Sequence, residues 1–99
     1  MIKHIVMWRL KEHALGANKE ANALQAQAKL EALKDLIPEI LELKVGRDLL
    51  HGSASWDLAL YAEFQDLSAL ETYQNHPAHQ DVAGFIGEIR LDRAVVDFE

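Results

Sequence analysis

The sequence predicts an α+β fold in which helices cover one face of a four-stranded antiparallel sheet. Two hydrophobic periods carry the prediction. Four runs alternate apolar residues at period two, and two segments repeat apolar residues at three- and four-residue steps. Their order is β-α-β-β-α-β, that of a split βαβ unit. Length is the third observation: 99 residues make one domain, residues 1–99, without repeat, linker or low-complexity segment.

The opening run is the first strand. Ile2, His4, Val6, Trp8 and Leu10 share one face, and Lys3, Ile5, Met7 and Arg9 share the other. Ile5 and Met7 make the second face partly apolar too, so the strand wants cover on both sides. Residues 11–17 are a polar, glycine-containing connection. Asn18 is a suitable N-cap for a helix whose stripe is Ala23, Ala26, Leu30, Leu33 and Ile37. Lys29 and Lys34 suit its C-terminal end, and Pro38 stops it.

Leu41, Leu43 and Val45 alternate with Glu42, Lys44 and Gly46, a half-buried strand. A loop at 47–55 follows. Trp56, Leu58, Leu60, Ala62 and Phe64 then form the clearest strand, able to pair with its predecessor through a long hairpin. Ser68 and Glu71 have the spacing of a capping box, so the next helix is predicted to start there. Pro77 breaks or restarts it, and would be comfortable at a first helical position. Val82, Phe85, Ile86 and Ile89 mark the amphipathic continuation. From Arg93 to Phe98 the chain reads as a last strand, with Ala94, Val96 and Phe98 alternating. The whole corresponds to a ferredoxin-like plait.

Composition bounds the function. With 49% hydrophobic and 26% charged residues the chain is ordinary for a globular domain. Its net charge is −6 and its ten Lys and Arg are scattered, which disfavours nucleic acid and anionic membrane surfaces as partners. No cysteine is present, which excludes disulfides, thiolate metal sites and a thiol nucleophile. No stretch is apolar enough to span a bilayer, the start does not read as a secretory signal, and a cytoplasmic location is expected. A chain this short buries only roughly 60–65% of its unfolded surface, and the uncovered sheet face then invites a second copy.

The informative cluster is Tyr73-Gln74-Asn75-His76-Pro77-Ala78-His79. Tyr73 can donate or accept through its phenol. His79 lies three residues before Val82 and seven before Ile86, so helical geometry turns it toward the apolar side. His4 shares its strand face with Val6 and Trp8 and looks into a core or pocket. Each has a bland reading as well: His4 as a core-edge histidine bonded to backbone, His76-Pro77 as a turn, His79 as a structural histidine, Tyr73 as core. Trp8, Trp56, Phe64 and Phe85 read as core, with Trp8 and Phe85 as candidate pocket walls. Asp92 and Asp97 read as solvated or strand-end charges. His76 and His79 alone are a weak metal pair, His4 being the one guess for a third ligand, and neither metal nor cofactor is expected. No Walker loop, dinucleotide fingerprint or serine-nucleophile motif occurs.

Three segments carry a family resemblance: Ile2-Lys3-His4-Ile5-Val6-Met7-Trp8-Arg9-Leu10-Lys11, the strand from Trp56 to Phe64, and the Tyr73-x-x-His76-Pro77-x-His79 signature. With the ending Val95-Val96-Asp97-Phe98, the chain resembles the stress-responsive A/B barrel (Dabb) family of the dimeric α/β barrel superfamily. The resemblance implies a plait whose sheets pack into a homodimeric barrel. It also implies roles. In a plant branch that cyclises polyketides, the residues matching His79 and Tyr73 act as general base and as support for the carbonyl, and the one matching His4 is a pocket histidine.

The function expected is binding, and conversion by such general base chemistry, of a small apolar carbonyl or aromatic metabolite. His79 and Tyr73 are the catalytic candidates, and His4, Val6, Trp8, His76 and Phe85 the substrate-binding candidates. Two alternatives stand beside it. One is a non-catalytic stress-response or assembly protein with a well-filled interior. The other, by superfamily analogy, is a monooxygenase-like activity.

Overall fold

A computed structural model describes residues 1–99. The main sheet has the order β4-β5-β1-β6, with every neighbouring pair antiparallel. Its strands are β1 (Ile2–Leu10), β4 (Glu42–Arg47), β5 (Leu58–Phe64) and β6 (Arg90–Phe98). The helices are α1 (Lys19–Leu36), α2 (Leu67–Asn75) and α3 (Pro77–Ile89). This is the predicted ferredoxin-like α+β plait. β1 lies inside the sheet, bonded on both edges. Its predicted inner row, Ile2, His4, Val6, Trp8 and Leu10, is buried throughout.

The connection after β1 is more ordered than its composition suggests. Two short strands, β2 (His13–Ala14) and β3 (Ala17–Asn18), pair across Leu15 and Gly16. Both turn residues have positive φ, 52° and 75°, as a tight two-residue hairpin requires. The buried Asn22 of α1 holds this hairpin by donating to the carbonyls of Ala14 (3.0 Å) and Ala17 (3.4 Å).

Asn18 caps α1 as predicted, its Oδ1 accepting from the Ala21 N–H at 2.9 Å. The stripe Ala23, Ala26, Leu30, Leu33 and Ile37 is buried against the sheet, where it meets Val6, Leu58, Leu60, Ala62 and Phe64 in one core. The chain leaves α1 at Ile37, and β4 pairs with β5 through the long connection expected.

The second helical region departs from prediction in its start. Asp66, not Ser68, is the N-cap: its Oδ1 accepts from the Ala69 N–H at 2.9 Å, and Ser68 lies inside α2. Asp66 wins because its carboxylate reaches the orphan N–H and favours the positive helix end. Asp66→Ala is therefore expected to cost about 1 kcal/mol in denaturant unfolding, and Ser68→Ala well under half of that. Equal losses would overturn the assignment.

At the other end His76 stands between two helices. It follows α2, and its Nδ1 accepts from the Ala78 N–H at 3.0 Å to cap α3, with Pro77 at the first helical position. The break re-aims α3 across the sheet, and α3 packs against α1.

β6 is the last strand expected, and its register with β1 settles which way its faces point. The row Ala94, Val96 and Phe98 faces away from the helices, and Arg93, Val95 and Asp97 lie on the helix side, paired with Trp8, Val6 and His4. The helix-free face thus carries three aligned rows: Ala59-Met7-Ala94, Tyr61-Ile5-Val96 and Glu63-Lys3-Phe98. Val96 and Phe98 are 53% and 45% exposed. No helix is long and apolar enough to cross a membrane.

Candidate functional site

A cavity of about 290 Å³ lies between the helix side of β1 and β6 and the overlying α3. β6 is an edge strand without a fully buried residue, so the helices leave room over it beside β1. β1 supplies His4, Val6 and Trp8 to its wall, α2 supplies Tyr73, and α3 supplies His79, Val82 and Ile86. Arg90 and Arg93 of β6 complete the rim.

Tyr73 holds the histidines together. Its ring centroid lies 4.5 Å from that of His79, 6.0 Å from His4 and 4.8 Å from Phe64. The Tyr73 side chain is buried, yet no protein group hydrogen-bonds its hydroxyl. That oxygen is not sealed in the core, so it opens on the cavity. Burial pushes its pKa up to about 12, with the positive charge of Arg93 acting the other way. The phenol therefore keeps its proton through the neutral range and is a hydrogen-bond donor.

The half-buried His79 is fixed by a local bond. Its Nδ1 lies 3.1 Å from the Gln74 carbonyl oxygen, one turn earlier across the helix break. A carbonyl only accepts, so in the neutral ring Nδ1 carries the proton and Nε2 keeps its lone pair. Burial lowers the His79 pKa below the ordinary imidazole value; Arg93, His4 and His76 push the same way, against the Gln74 bond. At neutral pH the ring is thus an unprotonated base.

His4 is buried on an inner strand of the sheet and lines the cavity, but it lacks the backbone bond of its bland reading. Its Nδ1 bonds the carboxylate of Asp97, directly opposite on β6, not a backbone group. Nε2 has no protein partner and faces the cavity. Asp97, read from sequence as a solvated or strand-end charge, is therefore the group that orients His4. Asp97→Ala should strand a buried imidazole donor and lower stability by about 1–3 kcal/mol in urea unfolding. A loss within 0.5 kcal/mol, taken roughly as the usual scatter for surface changes, would refute that role.

His4, Val6, Trp8, Tyr73 and His79 meet in the cavity; two other candidates do not. His76 is turned to the surface groove beside Ser68, Glu71 and Thr72, its Nδ1 committed to the helix cap. Phe85 sits on the α1 side of α3, with Lys29 Nζ 5.1 Å from its ring centroid. At about 100° per residue, Phe85 points about 60° to one side of Val82 and Ile86 about 40° to the other, and only the latter turn faces the cavity. Asp97, Arg90 and Arg93 were missed. The one sequence signal for them was parity: Arg93 and Asp97 share a strand face with each other and not with Val96. No group of three or more His, Asp or Glu gathers to hold a metal ion.

Comparison with known proteins follows the geometry. A dimeric ferredoxin-like protein of unknown function from Bacteroides fragilis is 31% identical with TM-score 0.86, over 99% of this chain and 94% of that one. A dimeric ferredoxin-like protein of unknown function from Thermobifida fusca is 27% identical with TM-score 0.84, over 98% and 88%. The hydroxynitrile lyase of Passiflora edulis shares the fold at 20% identity, with TM-score 0.82 over 98% and 90%. Comparison with curated proteins gives no match. The model of the stress responsive A/B barrel domain matches residues 2–99. That match leaves out only the first residue, and the chain belongs to the stress responsive A/B barrel domain family.

Proposed function

We propose that this protein is a homodimer that binds a small apolar carbonyl compound in the cavity and removes a proton from the carbon beside the carbonyl. The observation that carries the proposal is the convergence on one cavity of a free imidazole lone pair, His79 Nε2, and an unpartnered phenol, Tyr73. His79 takes the proton as general base. The Tyr73 O–H donates to the carbonyl oxygen as it gains negative charge, and does so in a water-poor site where such a bond is strongest. Asp97 holds His4 so that Nε2 faces the same space, where it positions the substrate.

The apolar walls Val6, Trp8, Leu60, Val82 and Ile86 favour an apolar body. A non-catalytic assembly protein would be expected to fill this interior, so the cavity favours the ligand reading. The three aligned rows on the helix-free face support the homodimer, and the B. fragilis and T. fusca relatives are dimeric.

The test uses phenylacetone in deuterium oxide, with loss of the methylene proton signal followed by NMR. Protein-dependent exchange above buffer is the expected result. Exchange no faster than in buffer, with phenylacetone shown to occupy the cavity, would overturn the general base role.

A further inference from the structure

We propose that the ligand carries a carboxylate, held by the guanidinium of Arg93 with Arg90 at the cavity rim, and that the cavity selects small apolar acids over their neutral analogues. This rests on the reading of the cavity as a ligand site.

The chain has 16 acidic residues against ten Lys and Arg, yet neither Arg90 nor Arg93 has a carboxylate within ion-pair distance. Arg93 stands opposite Trp8 on the helix side of the sheet, so its side chain enters the cavity wall and not the helix-free face. Its charge reaches both Tyr73 and His79. Asp97, on the same face of β6, is bonded to His4 and does not line the cavity. Every charged lining group is therefore cationic, in a protein that is anionic overall. A guanidinium presents a planar fork of donors that matches the two oxygens of a carboxylate, and bonds between charged groups are about twice as strong as neutral ones.

Volume sets the size. At about 30 Å³ per water in the liquid, 290 Å³ holds on the order of ten water-sized atoms. An aryl or branched alkyl group fits between Trp8 and Ile86, with its acid group reaching Arg93.

Phenylacetate and phenylacetamide test this by isothermal titration calorimetry, since they match in size and differ in charge. The wild-type protein is expected to bind phenylacetate about tenfold or more tightly than phenylacetamide. Arg93→Gln should erase the preference for the acid over the amide, and Arg90→Gln should reduce it in part. Equal binding of acid and amide by the wild type overturns the carboxylate proposal and leaves the cavity reading standing. So does a preference that survives Arg93→Gln. Binding of neither probe overturns both. The wild-type comparison decides the matter even if a variant fails to fold.

Discussion

His79→Ala is expected to lower protein-catalysed exchange of the phenylacetone methylene protons by about 10²–10⁴-fold. The magnitude is that of losing a positioned general base. The one other free imidazole nitrogen at the cavity, His4 Nε2, belongs to a ring fixed on β1 by Asp97. Tyr73 cannot act as base, since burial holds its phenol protonated up to about 12.

The fold should tolerate the change. The side chain contributes a single bond to Gln74 and a ring contact with Tyr73, together about 1–2 kcal/mol. Unfolding should be measured at fixed protein concentration, because the proposed dimer would add to apparent stability. A variant that loses well over 2 kcal/mol would mark His79 as a structural part. One that keeps both stability and exchange would remove it from the chemistry.

The pH dependence carries its own sign. The His79 pKa is lowered by burial, so wild-type exchange should stay level from alkaline pH down past the ordinary imidazole value of 6.5 and fall only below it. Stability follows linkage. The unfolded chain protonates this histidine first as pH falls, so the His79 contribution is present above pH 6.5 and is lost as pH drops through the lower folded value. His79→Ala should flatten that part of the stability profile.

Val96→Asp is expected to weaken the proposed dimer by at least about 100-fold, giving a monomer in sedimentation analysis at micromolar concentration. Val96 ends the central row of the helix-free face, beside Ile5 and Tyr61. Its 53% exposure in the single chain means the substitution costs the monomer little. In a two-fold dimer built on this face each copy would bury an unpaired carboxylate, at a cost of several kcal/mol. An unchanged dimer would show that the two copies meet elsewhere.

The second face of β1 was legible from Ile5 and Met7, and its continuation on β6 was not. The alternation of Ala94, Val96 and Phe98 was clear, but period two says only that residues share a face. Which face meets the helices depends on the strand's register with β1. The helix pair had a similar limit. Pro77 announced the break between α2 and α3, yet whether His76 or His79 entered the cavity turned on the helix axis after the break. The cap is Asp66 and not Ser68 because the chain turns helical at Leu67, so Ser68 already lies in the first turn while Asp66 keeps the extended backbone that a cap needs.

What the sequence determined by itself was local: four strands, the stripe of α1, the Asn18 cap, the restart at Pro77, and the inward faces of β1, α1 and α3. Those follow from the 2.0 and 3.6 periods, which neighbouring residues impose on one another. The tertiary structure decided which of the site candidates meet and which further residues join them. Asp97 meets His4 across 93 positions of chain. Arg93 enters the cavity because antiparallel pairing sets it opposite Trp8. Such contacts arise from strand register, which is chosen by burial over the whole sheet and leaves no periodic trace in either segment.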